Sequence, residues 1–537
     1  MISSRIDIEP EGIRAFVLAA LVYLALLVIL WDKWAFAEDA LINFVYAEHV
    51  GQGFGVRYNV FKPPVEGTTP LGWVLLISLG EVIGVGVGPF ARALSALFGL
   101  GIIGVVTWFS LEDLADTRLV YVPPLVAAVT YLPLHSLSGF GTVGFGGAYL
   151  LTAWAGYRLL DRDEWQYRAL FGVSGLLLSV IRPEGALLFG ATWLAYAYVT
   201  GVDRGSVLAG INRETVTAAA PVVVAVAAYH LGRISYFGYL FPNPFYVKGT
   251  GNWNVWHGLN SLRFTLDAFQ TLNILLVAFL VVGVVHAVYR YDSYRNRLLL
   301  LAAPAVTHFS IYLFIVQTQN TFKRFQYVGI LFAVAMLPLA LRGLRSRWPS
   351  SEASNHQLLR VVTVVLILGL VVQPLAFTLI KDPGYVMSPQ DDRKLVGKAL
   401  SEYEENNYTI WTHEAGGIVY YSKWNALDLS RLNSEALAHG AELESYMESQ
   451  PEPDVLLFTV FGPPMPPECS PTSWSEENTI FYEYAKEHGF RLAAAIPKPG
   501  GDVYQWYWVN PDTEKAEELV ETIRGVDRPW VNASRSC

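Results

Sequence analysis

The sequence predicts a polytopic α-helical membrane protein with about eleven spans and a C-terminal α/β domain outside the membrane. Of its 537 residues, 53% are hydrophobic and only 16% are charged, whereas soluble domains carry about 25% charged residues. The mean hydropathy is +0.33, and the apolar residues collect in runs of about twenty, the length that crosses the hydrocarbon core of a bilayer. The charge is uneven, with 13 Lys and Arg against 26 Asp and Glu from residue 381 onward.

The apolar runs predict the number of spans and their direction. If every run crosses the membrane, the arginine-rich loops near 158–168, 290–297 and 342–347 lie outside, although Lys and Arg usually stay in the cytoplasm. If the run at 71–86, which contains Glu81, lies in the membrane interface instead, all three loops face the cytoplasm. We therefore predict eleven spans, a cytoplasmic N-terminus and an extracytoplasmic C-terminus. The runs are near 14–31, 71–86, 90–110, 119–135, 143–160, 168–181, 185–200, 215–232, 268–289, 298–316, 326–341 and 359–379.

Two domains are predicted. Residues 1–380 form a transmembrane domain with a long first outer loop at 32–89, and residues 381–537 form a soluble α/β domain. An acidic tail of this kind is not typical of nucleic-acid binding. Residue types in the tail predict strands at 408–411, 455–459 and 502–509, helices at 432–446 and 476–488, and a loop at 463–471.

Cysteine and histidine usage gives little sign of a metal or of redox chemistry. The two cysteines, Cys469 and Cys537, both lie in the tail. They could form a disulfide in an oxidising compartment or remain as two thiols, and the sequence leaves both alternatives open. No His or Cys cluster has the spacing of a zinc site, so we predict no structural metal.

An acidic pair, Glu38 and Asp39, follows the first apolar run. Carboxylates beside a bilayer are costly to desolvate and are often functional, and a carboxylate can remove the proton of an acceptor hydroxyl. The alternative is an ordinary helix start, because acidic side chains favour the N-terminal turn.

Further polar motifs follow in order on the predicted outer side. They are Gly53-Phe54-Gly55 with Tyr58-Asn59, Val65-Glu66-Gly67-Thr68 with Trp73, Ser138-Gly139-Phe140-Gly141-Thr142, Arg182-Pro183-Glu184-Gly185, Tyr236-Phe237-Gly238 with Pro242-Asn243-Pro244-Phe245-Tyr246-Val247-Lys248, Lys323-Arg324-Phe325, and Glu414-Ala415-Gly416 with Tyr420-Tyr421-Ser422 and Asp428. Together with the acidic pair they resemble the GT-C superfamily of polyprenyl-phosphate-sugar-dependent glycosyltransferases. The resemblance is greatest to the branch that contains the mycobacterial terminal arabinofuranosyltransferases, and it spans roughly residues 36–440.

Two positions depart from the pattern of that branch. Gly141 stands where the branch usually has a glutamate, and Gln317, Gln319 and Asn320 stand where an acid often precedes the Arg-Phe pair. These departures concern the identity of the sugar more than the type of reaction.

The resemblance implies sugar transfer, with inversion, from a polyprenyl-phosphate donor to a hydroxyl of an extracytoplasmic glycan, glycolipid or glycoprotein. We predict Asp39 as the general base, with Glu38 and Glu66 as reserves. The leaving phosphate needs positive charge as its bond to the sugar breaks, and we predict Lys248 and Arg324 for this role, with Arg182 and Arg233 in support. The predicted substrate contacts are Glu66, Tyr58, Asn243, Tyr246, His413 and Glu414.

Several of these residues also have a purely structural interpretation. Arg182 could simply end a span, and Pro242-Asn243-Pro244 could be only a turn. Lys248 and Arg324 could anchor the chain at the interface or bind lipid headgroups.

We predict no cofactor and no metal ion, since basic side chains would face the phosphate. The predicted partners are the lipid-linked donor, the glycan acceptor and the bilayer, and the predicted location is the cell membrane with the active site outside. Two other classes stay open: a transporter or flippase of lipid-linked sugars, and an oligosaccharide ligase or polymerase that uses diphosphate donors. A transporter is expected to show paired halves with broken helices, and we find no such symmetry in the sequence.

Overall fold

A computed structural model describes residues 10–249, 292–312, 320–345, 371–381, 387–462, 465–469, 474–498 and 503–531, together with 256, 259, 263, 281, 284–285, 288–289 and 368–369. The chain divides into two compact units. The helical unit comprises Met1–Trp31, Arg92–Gly232 and Thr250–Lys381, and the sheet unit comprises Asp32–Ala91, Arg233–Gly249 and Asp382–Cys537. The sheet unit therefore joins three stretches that are distant in sequence. The predicted domain boundary at residue 380 stays a prediction.

Long apolar helices build the helical unit. Its helices are Pro10–Leu30, Val87–Leu114, Val122–Val129, Leu132–Leu137, Thr142–Asp161, Trp165–Ile181, Gly185–Asp203, Arg213–Phe237, Asp292–Ile311 and Tyr327–Arg345, with 3-10 turns at Arg118–Tyr121, Val207–Gly210 and Thr321–Gln326; Val87–Leu114 begins in the sheet unit and Arg213–Phe237 ends there. Among the described residues, six segments are long and apolar enough to cross a membrane, namely Pro10–Leu30, Val87–Leu114, Arg118–Leu137, Gly185–Asp203, Arg213–Phe237 and Thr321–Gly343. This architecture confirms the polytopic helical fold class, and the count of eleven spans stays a prediction.

The run at 71–86 forms only a short helix. Leu71–Val82 has 12 residues, which is about 18 Å of helix and less than the roughly 30 Å of a bilayer core. The predicted run at 268–289 falls almost wholly outside the described residues. The run at 359–379 is described mainly over Val371–Ile380, which is helical.

Small residues allow helices of the helical unit to pack closely. A Cβ at Gly99 would lie 2.3 Å from the Tyr23 hydroxyl oxygen, and one at Gly146 would lie 2.5 Å from Leu331. The Tyr23 hydroxyl lies 2.6 Å from Ser136 Oγ. Close approach at small residues and hydrogen bonds between helices are the usual sources of helix association in membranes.

Arg297 is an internal charge of the helical unit. Its side chain is fully buried and pairs with Asp113, and its Nη1 lies 3.2 Å from Glu112 Oε2. Its guanidinium also lies 4.7 Å from the centre of the Phe109 ring. A buried charge is tolerated only with such partners. Arg297, which the sequence places in a basic loop, thus lies in the helix Asp292–Ile311 as a buried and paired charge.

The sheet unit contains a five-stranded mixed sheet with the strand order β2-β1-β3-β5-β4. Strand β1 is parallel to β2 and β3, and β5 is antiparallel to β3 and β4. The strands are β1 Thr409–Thr412, β2 Asn425–Asp428, β3 Val455–Phe461, β4 Arg491–Pro497 and β5 Val503–Val509. The helices are Glu38–Gly51, Leu71–Val82, Asn243–Lys248, Asp392–Leu400, Gly417–Ser422, Glu435–Ala438, Leu443–Glu448, Glu476–Glu487 and Ala516–Arg524, with a 3-10 turn at Ser401–Asn406.

Aromatic side chains fill the core against this sheet. The rings of Trp474 and Trp506 lie 5.3 Å apart, edge to face, and Phe458 stacks on Trp506 at 6.2 Å. Edge-to-face and stacked pairs add to the free energy gained by burying apolar area. The predicted strands at 408–411, 455–459 and 502–509 and the helix at 476–488 are present. Strands β2 and β4 were not predicted. Cys469 is disulfide-bonded, and Cys537 lies outside the described residues.

The predicted helix at 432–446 is wrong as a single element. Two short helices, Glu435–Ala438 and Leu443–Glu448, stand there instead. Gly440 adopts φ +98°, a conformation that interrupts a helix and suits glycine. Glu442 then caps the second helix by accepting backbone N–H bonds at 3.1 and 2.8 Å.

Candidate active site

Glu38 begins the helix Glu38–Gly51 and fixes its first turn. Glu38 Oε1 accepts the backbone N–H groups of Gly416 and Gly417 at 3.0 and 2.7 Å. The backbone carbonyl oxygen of Glu38 also lies so close to Gly416 that an added Cβ would be 2.1 Å from it. Asp39 is the next residue on the helix and is half-buried.

Arg393 joins several carboxylates beside Glu38. Its Nε and Nη2 donate to the two oxygens of Asp391 at 2.8 and 2.6 Å, and its Nη1 donates to Glu414. Glu38 Oε2 lies 3.6 Å from the same Nη1. Only 2% of the Arg393 side chain is exposed, so these charges compensate one another away from water.

Glu414 is the most strongly held carboxylate of this network. Its Oε1 accepts from Lys498 Nζ at 2.9 Å and from Thr459 Oγ1 at 2.5 Å. Burial raises the pKa of Glu414, but the positive charges of Lys498 and Arg393 lower it more, so that this pKa lies well below its usual value. Burial raises the pKa of Glu38 to about 7, against the lowering effect of Arg393. The two carboxylates therefore differ in their charge near neutral pH.

His413 precedes Glu414 and faces the sheet. Its Nε2 accepts the backbone N–H of Thr459 at 3.1 Å, and its ring lies 5.7 Å from that of Phe481. Burial lowers the pKa of His413 to about 4, so the imidazole is neutral at physiological pH.

Glu66 and Arg233 form a buried ion pair. Their side chains are 3% and 4% exposed, and Arg233 also donates to the carbonyl oxygen of Leu240. Burial raises the pKa of Glu66 to about 7, while Arg233 lowers it. The pair ties the first loop to the chain that follows the long helix Arg213–Phe237.

Asn243 makes a second tie between the same segments. Its backbone N–H donates to the Glu66 carbonyl oxygen at 2.9 Å, and its side-chain amide donates to the Leu432 carbonyl oxygen at 3.0 Å. Asn243 begins the short helix Asn243–Lys248, so these bonds fix the start of the helix that ends at Lys248.

A hydrogen-bonded chain continues from Asp428 to the first loop. Asp428 Oδ2 accepts the backbone N–H and the amide of Asn433 at 2.7 and 2.8 Å. Asn433 Oδ1 accepts from the Tyr46 hydroxyl at 2.9 Å, and the Tyr46 oxygen accepts the backbone N–H of Gly67 at 2.9 Å. Because Gly67 follows Glu66, this chain also fixes the buried ion pair.

Tyr246 and Lys248 lie on a partly exposed aromatic segment. Tyr246 is 37% exposed, and its ring lies 6.1 Å from Tyr239 and 4.6 Å from His439. The Tyr239 hydroxyl donates to Glu435 at 2.7 Å. Lys248 ends the helix and is half-buried. Tyr58 differs from Tyr246, because it is 3% exposed and donates to the Ala415 carbonyl oxygen at 2.7 Å.

Arg182 and Arg324 meet in the helical unit. Both guanidinium groups lie over the Phe325 ring, at 5.9 and 4.9 Å from its centre. Arg324 also lies 4.1 Å from the centre of Phe140, and Arg182 donates to Glu184 at 2.5 Å. Cation–π contacts of this kind hold a guanidinium in place while it keeps its charge.

The turn that precedes Arg324 is strained. Phe322 and Lys323 have φ of +50° and +58°. Residues with a Cβ pay roughly 1–2 kcal/mol each in this left-handed region, and such strain is common at functional sites.

The structure thus groups the predicted residues into three clusters. Glu38 and Glu414 meet at Arg393, while Glu66, Arg233 and Asn243 meet near the first loop. Arg182 and Arg324 form the third cluster, in the helical unit. Sequence reasoning missed Asp391, Arg393 and Lys498, although the motif Asp391-Asp392-Arg393, shortly after the last apolar run, could have indicated the first two. The motif that begins at Asp428 was noted in the sequence, but no role in the site was predicted for it.

No protein-family model and no curated protein matches the sequence. The fold, however, matches solved structures. One is ArnT from Cupriavidus metallidurans bound to undecaprenyl phosphate, with a TM-score of 0.59 and 12% identity over 93% of this chain and 98% of that chain. The chain has a GT-C fold. This finding confirms the predicted superfamily resemblance at the level of fold, and the arabinofuranosyltransferase branch stays a prediction.

The same GT-C fold relates the chain to the Archaeoglobus fulgidus oligosaccharyltransferase. The structure of that protein, AglB, with an inhibitory peptide and a dolichol-phosphate matches with a TM-score of 0.53 and 12% identity over 96% of this chain and 77% of that chain. The structure tethered to an acceptor peptide matches with a TM-score of 0.55 and 12% identity, over 95% and 75%.

Proposed function

We propose that this protein is an integral membrane glycosyltransferase that moves a sugar from a polyprenyl-phosphate donor to an acceptor hydroxyl outside the membrane, with inversion. The observation that carries the proposal is the GT-C fold, shared over 93% of this chain and 98% of an ArnT chain solved with undecaprenyl phosphate. A second neighbour, AglB, was solved with a dolichol-phosphate. Both lipids are polyprenyl phosphates, which is the chemistry of the proposed leaving group.

Asp39 is the general base in this proposal. It lies half-buried in the first turn of a helix whose start is fixed by the bonds from Gly416 and Gly417 to Glu38. The Asp39 carboxylate takes the proton of the acceptor hydroxyl. The acceptor oxygen attacks the anomeric carbon from the face opposite the phosphate, the bond from that carbon to the phosphate oxygen breaks, and polyprenyl phosphate leaves.

Lys248 stabilises the leaving phosphate. It ends the short helix whose start Asn243 fixes through its bonds to Glu66 and Leu432, and the breaking bond needs positive charge beside the leaving phosphate. Arg182 and Arg324 keep their assignment as phosphate-binding residues, because their stacking over Phe325 holds two positive charges together. Arg233 keeps a supporting role in phosphate binding, which is indirect because its guanidinium is paired with Glu66.

In this proposal Tyr246 contacts the substrate, because its flat aromatic ring is partly exposed. The other predicted contact residues are engaged within the protein: Tyr58, Asn243, His413, Glu414 and Glu66. We assign them to shaping the site rather than to touching the sugar. The proposed chemistry requires no cofactor or metal ion. In this proposal the protein is a multi-pass protein of the cell membrane with its active site and C-terminal domain outside.

A transfer assay with purified protein tests the proposal. The protein is incubated with a radiolabelled polyprenyl-monophosphate sugar and a panel of glycan acceptors, and the anomeric configuration of the product is determined by NMR. We expect an inverted product from the monophosphate donor and none from a diphosphate donor. Transfer only from the diphosphate donor would indicate an oligosaccharide ligase or polymerase instead. Movement of the lipid-linked sugar across vesicles without transfer would indicate a flippase.

The Lys248→Ala variant tests the phosphate assignment. Loss of one charge-stabilising donor is expected to lower kcat/KM about 10²–10³-fold, or roughly 2–4 kcal/mol in transition-state terms. Arg324→Ala is expected to act in the same sense. The matched control is Lys486→Ala, which removes an exposed lysine of the sheet unit and is expected to transfer sugar at the wild-type rate. Wild-type rates in both Lys248→Ala and Arg324→Ala would contradict the assignment.

A further inference from the structure

We infer that Glu38 is a positioning residue, which the backbone N–H groups of Gly416 and Gly417 hold so that Asp39 points into the active site. This inference rests on the proposed function, in which Asp39 removes the acceptor proton. It assigns to the C-terminal part of the chain a direct part in the geometry of catalysis, and it separates the roles of two adjacent acids.

The contact between the two segments is tight on both sides. Glu38 Oε1 accepts two backbone N–H bonds, at 3.0 Å from Gly416 and 2.7 Å from Gly417. A Cβ at Gly416 would lie 2.1 Å from the Glu38 carbonyl oxygen, and one at Gly417 would lie 2.6 Å from Glu38 Oε2. Gly416 therefore needs to be glycine, because a Cβ there would push the backbone at the start of the helix away, whereas a Cβ at Gly417 would displace the Glu38 carboxylate.

A second bond fixes the chain just before the helix. The backbone N–H of Ala35 donates to the Met387 carbonyl oxygen at 2.8 Å. The chain that enters the helix is thus held at Ala35 and again at Glu38 by residues from the C-terminal part. Consecutive side chains on a helix point about 100° apart. When Glu38 is turned toward the two glycines, the direction of Asp39 is determined.

The charges show how positioning can be separated from proton transfer. Arg393 pairs with Asp391 and Glu414 at closer range than with Glu38, whose Oε2 is 3.6 Å away. In the variant Glu38→Gln, the neutral amide side chain would keep an oxygen to accept both glycine N–H bonds, and Arg393 would remain paired. A base must carry a proton-accepting charge, whereas a positioning residue needs only that oxygen.

Kinetics of three variants test the inference on the full-length protein. Glu38→Gln is expected to keep kcat within about 3-fold of wild type and to keep the low-pH limb of the rate profile. Glu38→Ala and Gly416→Ala are expected to lower kcat about 10–100-fold without a change in KM for the donor, since small misplacements of a reacting group cost up to about 10²-fold. Gly190→Ala is the control, because its Cβ would meet no atom within 4 Å, and it is expected to behave as wild type.

Amide hydrogen exchange measures whether Glu38 binds the two glycine N–H groups, and it does not depend on enzyme activity. The Gly416 and Gly417 amides are expected to exchange slowly in wild type and Glu38→Gln and faster in Glu38→Ala. A wild-type protein that transfers no sugar would overturn the proposed function alone, and the exchange rates would still decide the role of Glu38.

Three results would overturn the inference. Glu38→Gln could be as inactive as Asp39→Asn or lack the low-pH limb, which would make Glu38 the base. Glu38→Ala and Gly416→Ala could both keep the wild-type kcat. The glycine amides could exchange equally fast in wild type and Glu38→Ala.

Discussion

Two adjacent carboxylates, Glu38 and Asp39, occupy different surroundings in this protein. Glu38 accepts two backbone N–H bonds and lies near Arg393, whereas Asp39 is turned about 100° around the helix axis from it. The contacts of Glu38 are those of a positioning residue, and Asp39 keeps its assignment as the proposed base.

The variant Asp39→Asn is expected to abolish sugar transfer and to leave donor binding largely unchanged. The substitution keeps the size of the side chain and removes the charge that accepts the proton, and the base acts on the acceptor rather than on the phosphate. The measurement is transfer activity beside equilibrium binding of the lipid-linked donor. Full activity in Asp39→Asn would refute the assignment, and loss of donor binding would indicate a folding defect instead.

Asp392 predicts a dependence of stability on pH. Its side chain is fully buried, its Oδ2 accepts from the Tyr507 hydroxyl at 2.7 Å, and burial raises its pKa to about 7. An unfolded aspartate titrates near 3.9. Between these values the folded state binds more protons than the unfolded state, so the stability contribution of Asp392 is lost as the pH rises through about 7.

The variant Asp392→Asn removes this titration while keeping the shape of the side chain. Its melting temperature relative to wild type is expected to rise between about pH 5 and pH 8. The control is Asp512→Asn, which changes an exposed aspartate and is expected to show no such trend. A constant difference between Asp392→Asn and wild type over this range would contradict the prediction.

At the scale of elements, the segment 233–249 is held by polar bonds rather than by a large apolar face. Arg233 pairs with Glu66, and Asn243 bonds to both Glu66 and Leu432. The rings of Phe241, Phe245 and Tyr246 remain 37–40% exposed. Exposed aromatic rings close to the end of an apolar helix are typical of the membrane interface. The polar bonds thus leave the aromatic rings available to lipid or to substrate.

The variant Arg233→Met is expected to destabilise the protein by about 3–5 kcal/mol, because it leaves the Glu66 carboxylate buried without its partner. The double variant Arg233→Met with Glu66→Gln is expected to recover part of that loss. The matched control is Arg204→Met, which breaks an ion pair with Glu214 whose side chains are 45% and 47% exposed and which is expected to cost at most about 1 kcal/mol. Thermal unfolding in detergent measures all three, and equal losses in Arg233→Met and Arg204→Met would contradict the prediction.

Local residue patterns predicted the elements better than they predicted the contacts. Apolar runs gave the long helices, and β-branched and aromatic residues gave β1, β3 and β5. The helix at 432–446 failed because Gly440 breaks it, which helical propensity alone does not reveal. The network around Arg393 could not be predicted, since its partners Glu38 and Glu414 are brought together only by the fold.

At the scale of the whole molecule, the GT-C fold agrees with the predicted class of membrane protein, and the direction of the chain stays a prediction. It is tested by single cysteines introduced after Cys469 and Cys537 are replaced by serine. Cysteines at the exposed positions 442 and 517 are expected to react with an impermeant reagent added outside intact cells. Cysteines at 162 and 204, which are also exposed, are expected to react only after the membrane is opened. Labelling of position 162 from outside would contradict the eleven-span arrangement.

The three-part origin of the sheet unit also bears on how the protein is made. Glu38 and the amide of Gly416 are 378 residues apart in the chain. At about 5–20 residues per second, the ribosome synthesises Gly416 roughly 20–75 s after it has synthesised Glu38. During that time the polar groups of the first loop lack the partners that the C-terminal part of the chain supplies. A chain that stops before residue 382 never receives those partners, so the first loop is expected to stay without its native contacts in such truncated products.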